Sequence, residues 1–119
     1  MQLKVSYEDQ RDDITVVRVD GESQGDVLLF DSAPELRHML VQLAEEGRLL
    51  TVVDLSEVTD IDASGLGVLV GGLKRVQHFK GGSLSLVVTS ERVRAVLART
   101  GLTRVFRLHD TVPSAVAHA

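Results

Sequence analysis

A chain of 119 residues, 44% hydrophobic and 25% charged, has the composition of one folded domain and is short for an enzyme with two substrate-binding lobes. A net charge of −4 with scattered basic residues leaves no electrostatic footprint for nucleic acid. The absence of cysteine removes thiolate zinc sites, disulfides and thiol catalysis, and the apolar runs are too short for a membrane span.

In chain order, Leu3–Tyr7 and Ile14–Val19 read as two short strands around the polar stretch Glu8–Asp13, a hairpin. The N-terminal MQLKVSYED lacks a charged start followed by an apolar segment, so no secretory leader is expected. Gly21–Ser32 resists assignment, although its apolar run Val27–Phe30 allows a third short strand. Ser32-Ala33-Pro34-Glu35 has capping-box spacing, with Pro34 in the first turn of a helix. Leu36, Met39, Leu40, Leu43 and Ala44 then recur at helical spacing until Gly47. Leu49–Leu55 is apolar on both faces apart from Thr51 and Asp54, which predicts a strand covered by helices on either side.

After a loop over Ser56–Ala63, the stripe Leu66, Leu69, Val70, Leu73 and Val76 predicts a second helix, stopped by Gly81-Gly82. Ser83–Val88 reads as another buried strand. Ser90 caps a third helix carrying Val93, Val96 and Leu97 as far as Gly101. Val105–Leu108 is a last short strand, and Thr111–His118 a terminal helix with Pro113 in its first turn. Strand, helix and strand joined by such short loops require right-handed crossovers and parallel strands. The expected fold is a small α/β sandwich: a mixed β-sheet with an N-terminal hairpin and about four packed helices, one domain over residues 1–119.

The chemistry concentrates in Asp60–Gly67, DIDASGLG, at the junction of a buried strand and a helix. Four readings of Ser64 compete there. A serine or aspartate in this place caps the helix. A nucleophilic serine needs G-x-S-x-G, but Asp62 stands two before Ser64 and Leu66 two after it. His38, His78, His109 and His118 sit in polar, surface-like contexts, so no catalytic triad is predicted. Gly65, Gly67 and Gly71 nearly match a dinucleotide fingerprint, but they begin too far after the strand, and Gly71 reads better as a residue permitting close helix packing. Finally, a hydroxyl between the small residues Ala63 and Gly65 on an exposed turn suits a protein kinase, and a phosphate there would meet unpaired N–H groups at the helix start.

The row Val52–Val70, VVDLSEVTDIDASGLGVLV, resembles the signature of the bacterial anti-sigma-factor antagonists, the STAS-domain family. That pattern is a strand ending in D-L-S, then D-S-S-G-L-G opening a helix. Gly21-Glu22, Ala33-Pro34-Glu35-Leu36, Gly81-Gly82 and Arg92–Phe106 extend the resemblance over nearly the whole chain. It implies a STAS-type sandwich and a non-enzymatic, cytoplasmic regulator with no cofactor, metal, nucleic acid or membrane partner.

Proteins of this kind bind an anti-sigma factor that is itself a serine kinase, are released when it phosphorylates them, and are restored by a phosphatase. ATP and magnesium belong to the kinase. By position, the resemblance makes Ser64 the phosphoacceptor, with Asp62, Ala63, Gly65, Leu66 and Gly67 as the partner-binding frame. The sequence departs from the family pattern twice. Ala63 replaces the first serine of D-S-S-G. After Gly21-Glu22 the chain runs through Ser23-Gln24-Gly25-Asp26 and VLLFDS, longer than the family's G-E-L-D. Asp26 and Asp31 are candidates for the partner-facing aspartate, and Asp26 is taken here. The alternatives are a STAS module that binds a protein or small ligand without a phosphoswitch and, more distantly, a nucleotide-binding domain.

Overall fold

The computed structural model describes residues 3–10, 13–21 and 27–118, by backbone alone at 3–4, 21 and 27–32. Its elements are β1 (Leu3–Asp9), β2 (Ile14–Gly21), β3 (Val27–Leu28), α1 (Leu29–Glu45), β4 (Leu50–Asp54), β5 (Val58–Asp60), α2 (Ala63–Gln77), β6 (Ser83–Val87), α3 (Glu91–Arg99), a 3-10 turn (Leu102–Arg104), β7 (Arg107–His109) and α4 (Val112–Ala117). Five strands form one sheet in the order β1-β2-β4-β6-β7. Only the β1–β2 hairpin is antiparallel; the other three pairings are parallel, as the short crossovers require.

The apolar pattern explains why this sheet has two covered faces. Successive side chains of a strand point to opposite sides. Val17 and Val53 feed a core with Leu36, Leu40 and Leu43 of α1, Leu69, Leu73 and Val76 of α2, and Val93 and Leu97 of α3. Their neighbours Val16 and Val52 join Ile14, Val87 and Ala115 of α4 in a second, smaller core. A register slip of one residue would exchange the two sets, so the valine run specifies the pairing. Leu36, Leu43 and Leu69 are fully buried, each contributing roughly 1.5–3 kcal/mol relative to exposure.

Helix ends follow the punctuation in the sequence. Gly47, at φ 82, lets the chain turn left-handed after α1. Its N–H bonds to the Ala44 carbonyl and that of Arg48 to the Leu43 carbonyl, the paired closure of a Schellman motif. Ser90 caps α3 through the Val93 N–H, and Thr111 caps α4 through that of Ser114.

Three boundaries differ from the sequence reading. Helix α1 begins at Leu29 rather than after Ser32, so Pro34 lies inside it. Proline's fixed φ is helical, but its ring removes the N–H that the Phe30 carbonyl would otherwise receive and crowds that carbonyl. The predicted loop over Ser56–Ala63 contains β5, which pairs in parallel with β3 as a separate two-stranded sheet. The last strand begins at Arg107 because the 3-10 turn uses up the residues after Gly101, leaving Val105 50% exposed.

Candidate functional site

Ser64 occupies the second position of α2 and is exposed, as is Ala63, whereas Gly65 is buried. The N-cap is Asp62, not Ser64. Asp62 has the extended backbone of a cap residue (φ −106, ψ −178), and its carboxylate accepts the Gly65 N–H at 2.9 Å. The Ser64 hydroxyl makes no hydrogen bond to another described residue. A capping aspartate also places negative charge where the unpaired N–H groups of the helix favour it.

The segment leading to this serine is braced at several points. Asp54, 2% exposed at the end of β4, accepts the Ser56 N–H at 3.0 Å and lies 3.5 Å from the Arg18 Nε. The Leu55 N–H donates to the Val87 carbonyl. From the loop before α3, the Thr89 hydroxyl donates to the Ser56 carbonyl and that of Ser90 to the Thr59 carbonyl. Arg92 sits 3.8 Å from Asp60. Ser64 therefore stands exposed on a helix held by its neighbours, not on the free turn that its small flanking residues suggest.

Below Ser64 a groove of about 330 Å³ runs between α1 and α2, lined by Arg37, Ser64, Gly67, Val68, Gly71 and Arg75. Gly71 does not permit close packing as expected: a Cβ there, or at Gly67, would meet nothing within 4 Å. The packing glycine is Gly72, where a Cβ would stand 2.8 Å from Leu40 Cδ1 and 3.2 Å from Leu84 Cδ1. Leu66 packs against the main core, so its part in the motif is largely internal. Sequence reasoning missed Arg37 and Arg75 altogether; their helical faces relative to Ser64 carried the available signal.

Asp26 lies outside the described residues, directly before β3. Among the described residues, no histidine or carboxylate lines the groove. His38, His78 and His118 are exposed. His109 departs from the surface-like reading: its Nε2 is buried without a partner among the described residues, and its Nδ1 lies 3.4 Å from the Ser114 hydroxyl. Burial, then the charges of His118 and Arg107, lower its pKa against the opposing effect of Asp110. Among the described residues no helix is long and apolar enough to cross a membrane, and no group of His, Asp and Glu is arranged to hold a metal ion.

A parallel-centred α/β sandwich displaying an exposed serine on a capped helix defines a regulatory binding domain of the STAS type. The STAS domain family model matches residues 8–115. Over 102 residues, 86% of this chain and 86% of the relative, the sequence is 39% identical to the anti-sigma-B factor antagonist of Bacillus subtilis (strain 168). The chain belongs to the STAS-domain family, among its anti-sigma-factor antagonists.

Solved structures agree on the fold. An anti-sigma factor antagonist from Mycobacterium paratuberculosis matches with TM-score 0.82 at 24% identity, covering 98% of this chain and 93% of that one. The Bacillus cell fate determinant SpoIIAA in its phosphorylated form matches with TM-score 0.71 at 17% identity, covering 97% and 98%.

Proposed function

We propose that this domain controls a sigma factor by partner switching, with Ser64 as the switch. Unphosphorylated, it binds an anti-sigma factor that is a serine kinase and so releases the sigma factor. Phosphorylation of Ser64 by that kinase dissolves the complex, and a phosphatase resets it in the cytoplasm. The partner surface comprises Asp62, Ala63, Ser64, Gly65, Leu66 and Gly67, with Asp26 at the end of the insertion.

The observation that carries this reading is the division of labour at the start of α2. Asp62 satisfies the cap, which leaves the exposed Ser64 hydroxyl available to a kinase active site. In the transfer, the Ser64 oxygen attacks the γ-phosphorus of the kinase's ATP, ADP leaves, and the hydroxyl proton passes to a base of the kinase. The product carries roughly −1.5 to −2 charge at neutral pH. A partner carboxylate about 5 Å away would be repelled by about 3 kcal/mol per charge at an effective dielectric near 20, upwards of a hundredfold in affinity.

The test uses the Ser64→Ala chain as bait in its native cell, followed by reconstitution of the captured partner with wild-type chain and magnesium ATP. Mass spectrometry should place one phosphate on Ser64, with loss of the complex. Phosphate on Ser56 or Thr59 with Ser64 unmodified would sink the reading.

A further inference from the structure

We propose that the groove between α1 and α2 is a built-in seat for the phosphate carried by Ser64, with Arg37 as its counter-ion and Arg75 reinforcing the field. The proposal rests on the reading of Ser64 as phosphoacceptor and adds what receives the new charge.

Two arginines face this groove with no ion pair or hydrogen bond to another described residue. Arg99 and Arg104 also lack side-chain partners among the described residues but do not line this groove, whereas Arg107 donates to the His118 carbonyl. Arg18 reaches Asp20 and Asp54, Arg48 reaches Asp9 and Glu46, Arg92 reaches Asp60 and Arg94 reaches Asp110. In a chain of net charge −4, two guanidiniums without partners among the described residues line the groove, and Ser64 is the other polar side chain among its described lining residues. No carboxylate is among those described lining residues. The nearest opposing charge in sequence is Asp62, already engaged by the Gly65 N–H.

The glycines keep this groove open. Gly67 and Gly71 share the helical face of Ser64, one and two turns further on. A side chain at either place would stand between Ser64 and Arg75. Neither glycine is required by packing, since added Cβ atoms would meet nothing within 4 Å, and glycine weakens a helix interior. Arg75 lies eleven residues beyond Ser64, about 16 Å of helix rise, but helical side chains lean toward the N-terminus and carry its charge back toward the serine. Arg37 enters from α1 across the groove. It is the better placed of the two for direct, bidentate contact with phosphate oxygens.

The consequence for function is a second use of one modification. The phosphate repels an acidic partner group and also neutralises the two cations that such a group would have met. An aspartate at position 64 is shorter and carries a single charge, so it reaches Arg37 poorly and reproduces the switch only in part.

The experiment installs phosphoserine at position 64 of the full chain during translation, so that no kinase is involved. Phosphorus NMR, titrated from about pH 4 to pH 8, reads the second phosphate ionisation, which is ordinarily near 6. The value should lie below that in the wild-type background. Arg37→Gln should raise it by about one unit, Arg37→Lys should keep most of the depression, and Arg75→Gln should raise it by less than Arg37→Gln. Arg37 is exposed, so these variants should keep the fold, checked by their amide spectra. An ionisation unmoved by Arg37→Gln, or moved more by Arg75→Gln, overturns the assignment. Since the phosphate is placed synthetically, a kinase that ignores Ser64 would defeat the proposed switch and leave this result intact, and the reverse also holds.

Discussion

At the scale of single residues, the motif Asp62-Ala63-Ser64-Gly65 separates the helix cap from the serine proposed as the switch. Asp62 holds the helix start through the Gly65 N–H. Asp62→Ala should therefore lose about 1 kcal/mol, a few degrees in melting temperature, whereas Ser64→Ala should melt like the wild type. Ser64→Ala should also capture the kinase and remain bound, while Ser64→Asp folds and binds weakly, both readable by calorimetric titration. The place of the serine was legible in the sequence; its division from the cap was not. Aspartate and serine both suit the N-cap, and only the extended backbone at Asp62 assigns the role.

His109 supplies a pH prediction at the same scale. Its pKa is lowered in the folded protein, chiefly by burial and then by His118 and Arg107, so the unfolded chain binds the proton more readily. The stability associated with neutral His109 is thus present above the ordinary histidine value near 6.5 and is lost as pH falls from there toward the lowered value. Melting temperature should decline as pH falls below about 6.5, and His109→Gln should flatten that decline. An unchanged slope in the variant would remove His109 as its cause.

Among the elements, α2 has two adjacent glycines, about 100° apart around the helix, that the fold treats as opposites. Gly71 opens onto the groove, so Gly71→Ala should stabilise the domain by up to about 1 kcal/mol in urea melts. Gly72 meets Leu40 and Leu84, so Gly72→Ala gains the same propensity but costs about 1–3 kcal/mol of overpacking, a net loss. Gly82→Ala should be worse than either, because its Cβ would fall 1.8 Å from the Val76 carbonyl oxygen, a backbone atom with nowhere to go. These differences depend on what α1 and the chain beyond α2 place opposite each glycine. Helical period puts Gly72 on the buried face with Leu69 and Val76, but does not say which side chains from other elements it meets.

Across the whole molecule, the parallel sheet and its helices were readable because long apolar periods carry them. Leu49–Leu55 is apolar on both faces, and β4 is buried by α4 on one side and α1 and α2 on the other. Of the miniature sheet β3–β5, the apolar run Val27–Phe30 allowed β3, but β5 and the pairing were not readable. Strands of two and three residues are too short to show alternation, and their pairing joins segments about thirty positions apart. Replacing Val27–Phe30 with polar residues should lower the melting temperature before it lowers partner affinity. Full retention of both would mean that the run contributes to neither.

The small ladder of β3 and β5 is the shortest pairing of described strands. Val58–Asp60 leads directly to Asp62, so parting β3 from β5 should leave the approach to α2 held from the side of α3, through Ser90 and Arg92, without disturbing β4 or β6. Amide hydrogen exchange at Val27, Leu28 and the first turn of α2 should then form one correlated group, faster than the central strands. Anything that clasps the insertion would slow exchange beneath Ser64, a means of tuning a kinase's access from a segment it need never touch.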